Sequence, residues 1–131
     1  MAENVDTLKE GYEAFGRGDI DAVFANWHDD MAWEGGNSDL PAGGDYQGKE
    51  AIGGAFGELG AAWDGLKVVP DEYIGEGDTV AVLGHIEGTA KDTGQSIKSP
   101  FVHIYRFEGG KVKSLQVLTD TLAGARALGK V

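Results

Sequence analysis

Two hydrophobic periods divide the chain. Over positions 5–15, Val5, Leu8, Tyr12 and Phe15 recur at steps of three and four, one stripe of an amphipathic helix that Gly16 and Gly18 bring to an end. Asp19 is placed to cap a second helix spelled DIDAVFANW, with Ile20, Val23, Phe24 and Trp27 on its apolar side. MAWEGG then reads as a short strand, and NSDLPAGGDY as a loop long enough to form a lid. In KEAIGGAFGELGAAW, Ile52, Phe56, Leu59 and Trp63 return to helical spacing. Four internal glycines each cost that helix about 1 kcal/mol, so packing has to hold it.

From position 66 the period shortens. LKVVPDEYIGEG, DTVAVLGHIEGTAK, SIKSPFVHIYRFE and KVKSLQVLTD are β-branched and aromatic runs separated by GEGD, KDTG and EGGK, which predicts consecutive antiparallel strands joined by tight hairpins. TLAGARALGKV closes the chain as a short helix. Helices first and a strand meander afterwards imply an α+β fold with helices on one face of a curved antiparallel sheet. A ferredoxin-like arrangement would need strands and helices to alternate, and they do not.

Composition narrows the possible partners. The 131 residues, 41% of them hydrophobic, suffice for one domain over residues 1–131 with its own core. A net charge of −11 repels nucleic-acid phosphates and anionic lipid surfaces, so neither is an expected partner. With no cysteine there is no disulfide framework, thiolate nucleophile or Cys-ligated metal. The acidic N-terminal stretch lacks signal-peptide organisation and no apolar run reaches membrane-spanning length, so a cytoplasmic location is expected. His28, His85 and His103 are dispersed without any metal-ligand spacing, and no glycine-rich loop has phosphate-cradling form; neither metal nor cofactor is expected. His28, in NWHDD, is expected to face a helix C-terminus.

The same order of elements, with the phrases YEAFGRGDIDAVFANWHDDMAWEGG, PAGGDYQGKEAIGGAF, GEGDTVAVLGHIEGTAKDTGQS and PFVHIYRFEGGKVKSLQVLTD, resembles SnoaL-like proteins of the nuclear transport factor 2-like superfamily over nearly the whole chain. The resemblance implies a cone-shaped, strongly curved antiparallel sheet, with three helices of the N-terminal half closing one apolar pocket, often in a homodimer formed through the convex sheet face. It does not imply one activity, since such folds serve isomerases, aldol cyclases, epoxide hydrolases, dehydratases and members that only bind.

Candidate chemistry follows from strand alternation. Phe101, His103, Tyr105 and Phe107 share one face of their strand, and a turn at Gly109-Gly110 sets His103 opposite Gln116 with Leu118 and Asp120 farther along that face. A turn at DTG sets His85 opposite about Phe101, so His85, His103 and Asp120 are expected to line one concavity. A one-residue slip would turn each of them outward. An imidazole and a carboxylate in an apolar pocket form a general acid/base pair or, alternatively, are hydrogen-bonded polar groups in a half-buried sheet. Asp120 stands where aldol cyclases of the SnoaL kind keep their acid/base, and equally where the last helix needs an N-cap.

Comparison with ketosteroid isomerase assigns Tyr12 to the oxyanion-donating tyrosine and His103 to the neighbouring acid, but Gly35 stands in place of the proton-shuttling aspartate. Tyr12 otherwise reads as core with its hydroxyl at the rim. The epoxide-hydrolase pattern falls on His85-Ile86-Glu87 and lacks its arginine. Trp27, Trp33, Phe56, Trp63, Phe101 and Tyr105 are expected to form core and pocket wall, suited to a small apolar ring-containing ligand. Two functions stay open: cofactor-independent proton transfer on a small apolar carbonyl compound, with His103 and Asp120 as acid/base and Tyr12 as donor, or a non-catalytic ligand-binding or dimeric interaction module.

Overall fold

The computed structural model describes residues 2–131; Met1, the first residue of the expected domain, lies outside them. Its elements are α1 (Ala2–Gly16), α2 (Ile20–Phe24), β1 (Trp27–Glu34), β2 (Asp45–Gln47), α3 (Lys49–Ala62), β3 (Trp63–Glu76), β4 (Thr79–Ala90), β5 (Ser96–Glu108), β6 (Lys111–Thr119) and α4 (Thr121–Ala127). The architecture is α+β: four helices against one six-stranded sheet in the order β2-β1-β6-β5-β4-β3, open at both edges. Strands β3 to β6 form the expected antiparallel meander, whereas β1 joins β6 in parallel and makes the sheet mixed.

The helices are built as their stripes require. Leu8 of α1 is buried, and Val5, Tyr12 and Phe15 pack beside it. Gly18, at φ 75°, turns the chain, and the Asp19 carboxylate accepts the Ala22 N–H to start α2. That helix stops at Phe24 and does not reach Trp27. Trp27 and His28 instead open β1, because Trp27, Met31 and Trp33 all bury against the sheet side and β6 offers a free edge, with Val112 N–H donating to Asn26 O. His28 is therefore a strand residue whose Nε2–H donates to Glu108 O at 2.7 Å, and not a helix-terminal histidine. Trp63 likewise begins β3 and does not close α3.

The expected loop contains the three-residue strand β2, paired with β1 through Trp33 and Tyr46. Residues 35–44 then fold back on themselves. Gly35 N–H donates to Gly44 O at 2.7 Å and Trp33 Nε1–H to Ala42 O at 3.3 Å. Ala42 is buried with φ 61°, a left-handed conformation that costs an alanine about 1 kcal/mol or more. Gly43 is obligatory, since a Cβ there would sit 1.7 Å from Asn37 O.

Two one-residue offsets set which side chains face inward. In β6, Val112 pairs with Phe107 but Ser114 pairs with Arg106, leaving Lys113 bulged out of the ladder. His103 consequently pairs with Val117, and Gln116 with Ile104. Between β4 and β5 the loop holds residues 91–94, with Ala90 N–H donating to Gln95 O, so His85 pairs with Pro100 and Gly84 with Phe101. Both offsets reverse the parity expected from tighter, regular hairpins.

Candidate functional site

The concave face of the sheet and the helices enclose a cavity of about 180 Å³. Walls come from every part of the chain: Tyr12 of α1, Trp27 and Trp33 of β1, Phe56 of α3, Trp63 of β3 and Leu128 after α4 among them. Leu40, Pro41 and Ala42 of the folded-back loop cover one side. An engineered cavity of roughly 150 Å³ lined by apolar side chains accepts benzene, so the space here suits a small ring-containing molecule.

His103 is held between Phe101 and Tyr12. Phe101 stacks on it with ring centroids 4.0 Å apart. The Phe101 ring lies where Gly84 has no side chain, since a Cβ on Gly84 would come within 2.7 Å of Phe101 Cζ. Tyr12 approaches from the helix side with its ring nearly parallel to the imidazole, 7° between planes, and its hydroxyl 2.7 Å from Nδ1. Tyr105 completes the chain by donating its O–H to the Tyr12 oxygen at 2.9 Å. Because that oxygen accepts from Tyr105, the Tyr12 proton is directed to Nδ1.

The charge states follow from burial. Desolvation takes the His103 pKa down to about 3, so the imidazole is neutral at physiological pH. Burial, reinforced by the neighbouring Tyr105, pushes the Tyr12 phenol well above its ordinary range, and burial does the same for Tyr105. With Nδ1 accepting, the His103 proton resides on Nε2. Nε2 has no protein partner among the described residues and His103 lines the cavity, so the relay ends in one fixed N–H donor facing the space a ligand would fill.

Of the residues singled out in the sequence, Tyr12, Trp27, Trp33, Phe56, Trp63, His103, Tyr105 and Asp120 line the cavity. Phe101 shares their face but lies behind His103, outside the lining. Gln116 and Leu118 do not line it: the bulge at Lys113 turns them to the outer face, where Leu118 is 46% exposed, and puts Leu115, Val117 and Thr119 in their place. His85 also points outward, its Nδ1 2.9 Å from Asp71 Oδ2 and its Nε2 3.5 Å from Glu87 Oε2. A water-activating set of His85, Glu87 and Asp120 is therefore not assembled. Nor do His103 and Asp120 bond to each other. Asp120 is exposed at the cavity rim, where its Oδ1 accepts the Ala123 N–H at 3.0 Å and caps α4. Among the described residues no cluster of three or more metal-ligating side chains occurs, and no helix is long and apolar enough to cross a membrane.

A SnoaL-like domain pattern matches residues 8–115, which contain both tyrosines and His103. The chain belongs to the SnoaL-like family. Solved structures agree over nearly all of it. A nuclear transport factor 2-like protein of unknown function from Burkholderia pseudomallei K96243 is 31% identical, with 98% of each chain covered and a TM-score of 0.91. TerC, crystallised with polyporic acid, is 25% identical over 97% of this chain and 98% of its own, with a TM-score of 0.90. A protein of ketosteroid isomerase-like fold from Catenulispora acidiphila DSM 44928, in complex with trimethylamine, shares the fold at 17% identity, covering 94% and 92% with a TM-score of 0.80. No curated protein matches the chain.

In this SnoaL-like domain the sequence pointed to both Tyr12 and His103 but paired the histidine with Asp120. It missed Tyr105 as a member of the relay, although Tyr105 shares the His103 face by simple alternation.

Proposed function

We propose that this SnoaL-like protein holds a small, apolar, ring-containing carbonyl compound with its oxygen on the Nε2–H of His103, and moves a proton on that compound without a cofactor. The observation that carries the reading is the Tyr105–Tyr12–His103 relay, which presents a neutral imidazole as a fixed donor in a largely apolar cavity. Removing a proton from the carbon beside a carbonyl places negative charge on the carbonyl oxygen. A preorganised donor at that oxygen is worth about 3 kcal/mol to such a transition state. Asp120 is the one carboxylate among the described lining residues and is assigned as the base. It would take the proton from carbon and return it to the same or a conjugated carbon, giving exchange or isomerisation. The co-crystallisation of TerC with polyporic acid supports a small organic ligand for this cavity.

A second reading, binding without turnover, is favoured by Asp120 being exposed and engaged as the cap of α4. Asparagine caps helices as well as aspartate does but cannot act as a base, so Asp120→Asn separates the two. Deuterium uptake beside the carbonyl of 1-tetralone in D2O is the measurement. Uptake catalysed by the wild type and lost in Asp120→Asn supports proton transfer. Binding of 1-tetralone with no catalysed uptake leaves the binding reading. For quaternary structure we propose a homodimer through the outer sheet face, where Ile74 and Leu118 are half exposed, to be checked by sedimentation of Leu118→Glu.

A further inference from the structure

The segment EGGNSDLPAGGD carries a pair of glycines on each side of one cavity wall. Between the pairs, Leu40, Pro41 and Ala42 line the cavity and belong to no helix or strand. The glycines form the root of this wall. Gly35 N–H donates to Gly44 O at 2.7 Å and Gly44 N–H to Gly36 O at 3.1 Å, with Gly36 at φ 77° and Gly44 at φ 87°. Space is open around Gly36, where even an added Cβ would find its nearest neighbour, Val117 O, at 3.8 Å. Backbone rotation there displaces nothing, as a hinge requires.

Beyond the root the segment is bonded to itself. Leu40 N–H donates to Asn37 O at 3.2 Å, Gly43 N–H to Leu40 O at 2.9 Å and Asp39 N–H to Asn37 Oδ1 at 2.9 Å, so residues 37–43 move as one body. Among the described residues only two hydrogen bonds tie that body to the rest of the fold, and both end on Ala42. Its carbonyl oxygen accepts from Trp33 Nε1–H at 3.3 Å, and its N–H donates to Glu58 Oε1 at 3.5 Å. Both bonds are long and therefore weak. Glu58 is exposed on α3, outside the cavity lining, and its other carboxylate oxygen accepts the Tyr46 O–H at 3.2 Å. Release of both bonds would also let Ala42 leave its left-handed conformation.

We infer that residues 37–43 are a hinged flap on the cavity, bolted shut at Ala42, and that Glu58 is the positioning residue that sets how often it opens. The space uncovered beneath Leu40, Pro41 and Ala42 is the route by which a ligand enters and leaves, whether the cavity turns that ligand over or only binds it. Most of the remaining lining lies in the sheet ladder or in helices, so the flap is the wall that yields most easily.

Hydrogen exchange of the Ala42 amide, followed by NMR on the whole chain, reads the opening without a ligand. Glu58→Ala is expected to speed that exchange about threefold, the worth of one weak hydrogen bond, while the amides of β4 keep their wild-type rates. Glu58→Gln, which keeps an acceptor oxygen, should stay near wild type, as should Glu50→Ala, which removes an exposed charge from the same helix without touching the flap. Benzene, small enough for this cavity, is the probe of passage, its entry and exit rates read from NMR line shapes. In Glu58→Ala both rates should rise by about the same factor with Kd unchanged within twofold, because opening precedes entry and exit alike. An unaltered Ala42 exchange rate in Glu58→Ala would remove the latch. Faster amide exchange with unaltered benzene rates would send the traffic past the Asp120 rim and overturn the gate, as would benzene entering neither protein. A weaker Kd without faster entry would reduce Glu58 to a support of the wall.

Discussion

His103 and His85 stand on adjacent strands of one sheet and lead opposite lives. His103 faces the concave side, where Phe101 and Tyr12 strip it of water and leave it a neutral donor with a pKa of about 3. His85 faces the convex side between Asp71 and Glu87, where solvent and two carboxylates surround it. Residue type and strand environment are the same; only the side of the sheet differs. What an imidazole does in a β-sheet is thus decided by parity, and each test below either widens the contrast between the two faces or erases it.

The largest effect is expected at Gly84, which keeps the concave face open behind His103. Gly84→Leu forces a side chain into Phe101 and Val69 O, and chemical denaturation should show a loss of at least about 3 kcal/mol or no folded protein. Next comes the titration of His103. Its folded pKa lies below the unfolded value of 6.5, so below about pH 6.5 the unfolded chain takes up a proton that the native state refuses. Stability falls as pH drops toward 3, with a slope near 1.4 kcal/mol per pH unit from this group. His103→Asn should flatten the pH dependence between pH 6 and 4 relative to wild type.

A smaller change is expected for Tyr12→Phe, which leaves Nδ1 without its donor and should cost about 1–3 kcal/mol in denaturant melts. It should also free the imidazole to change tautomer, visible in its nitrogen chemical shifts. His85→Gln, on the solvated face, is expected to stay within about 0.5 kcal/mol of wild type in the same melts. Indistinguishable stability profiles for Tyr12→Phe and His85→Gln would remove the distinction between the two faces.

What the sequence disclosed, and what it concealed, follows the same division. Stripes and alternation are local, so α1, α3 and the four strands from β3 to β6 were legible, as was the face shared by Phe101, His103 and Tyr105. The offsets were not. Nothing in KVKSLQ announces that Lys113 leaves the ladder, yet that residue alone exchanges Gln116 and Leu118 for Val117 and Thr119 in the cavity. A three-residue turn and a four-residue loop are equally compatible with KDTG, yet they place His85 on opposite faces. The strand β2 is too short to carry a period. Parallel pairing of β1 with β6 depends on contacts some 80 residues apart and leaves no local trace. The bond between Tyr12 and His103 spans 91 positions and was approached only through resemblance.

The bulge at Lys113 also bears on how such a gene can vary. Loss of that single codon would restore the unbroken ladder, and from there to the end of the strand every wall residue would trade places with its neighbour. Gln116 and Leu118 would enter the cavity, and Leu115 and Val117 would be thrust into water. Point substitutions along this stretch change one lining group at a time, whereas a frame-preserving deletion rewrites the whole wall at once. Along this strand the inherited quantity under tightest control is the number of residues.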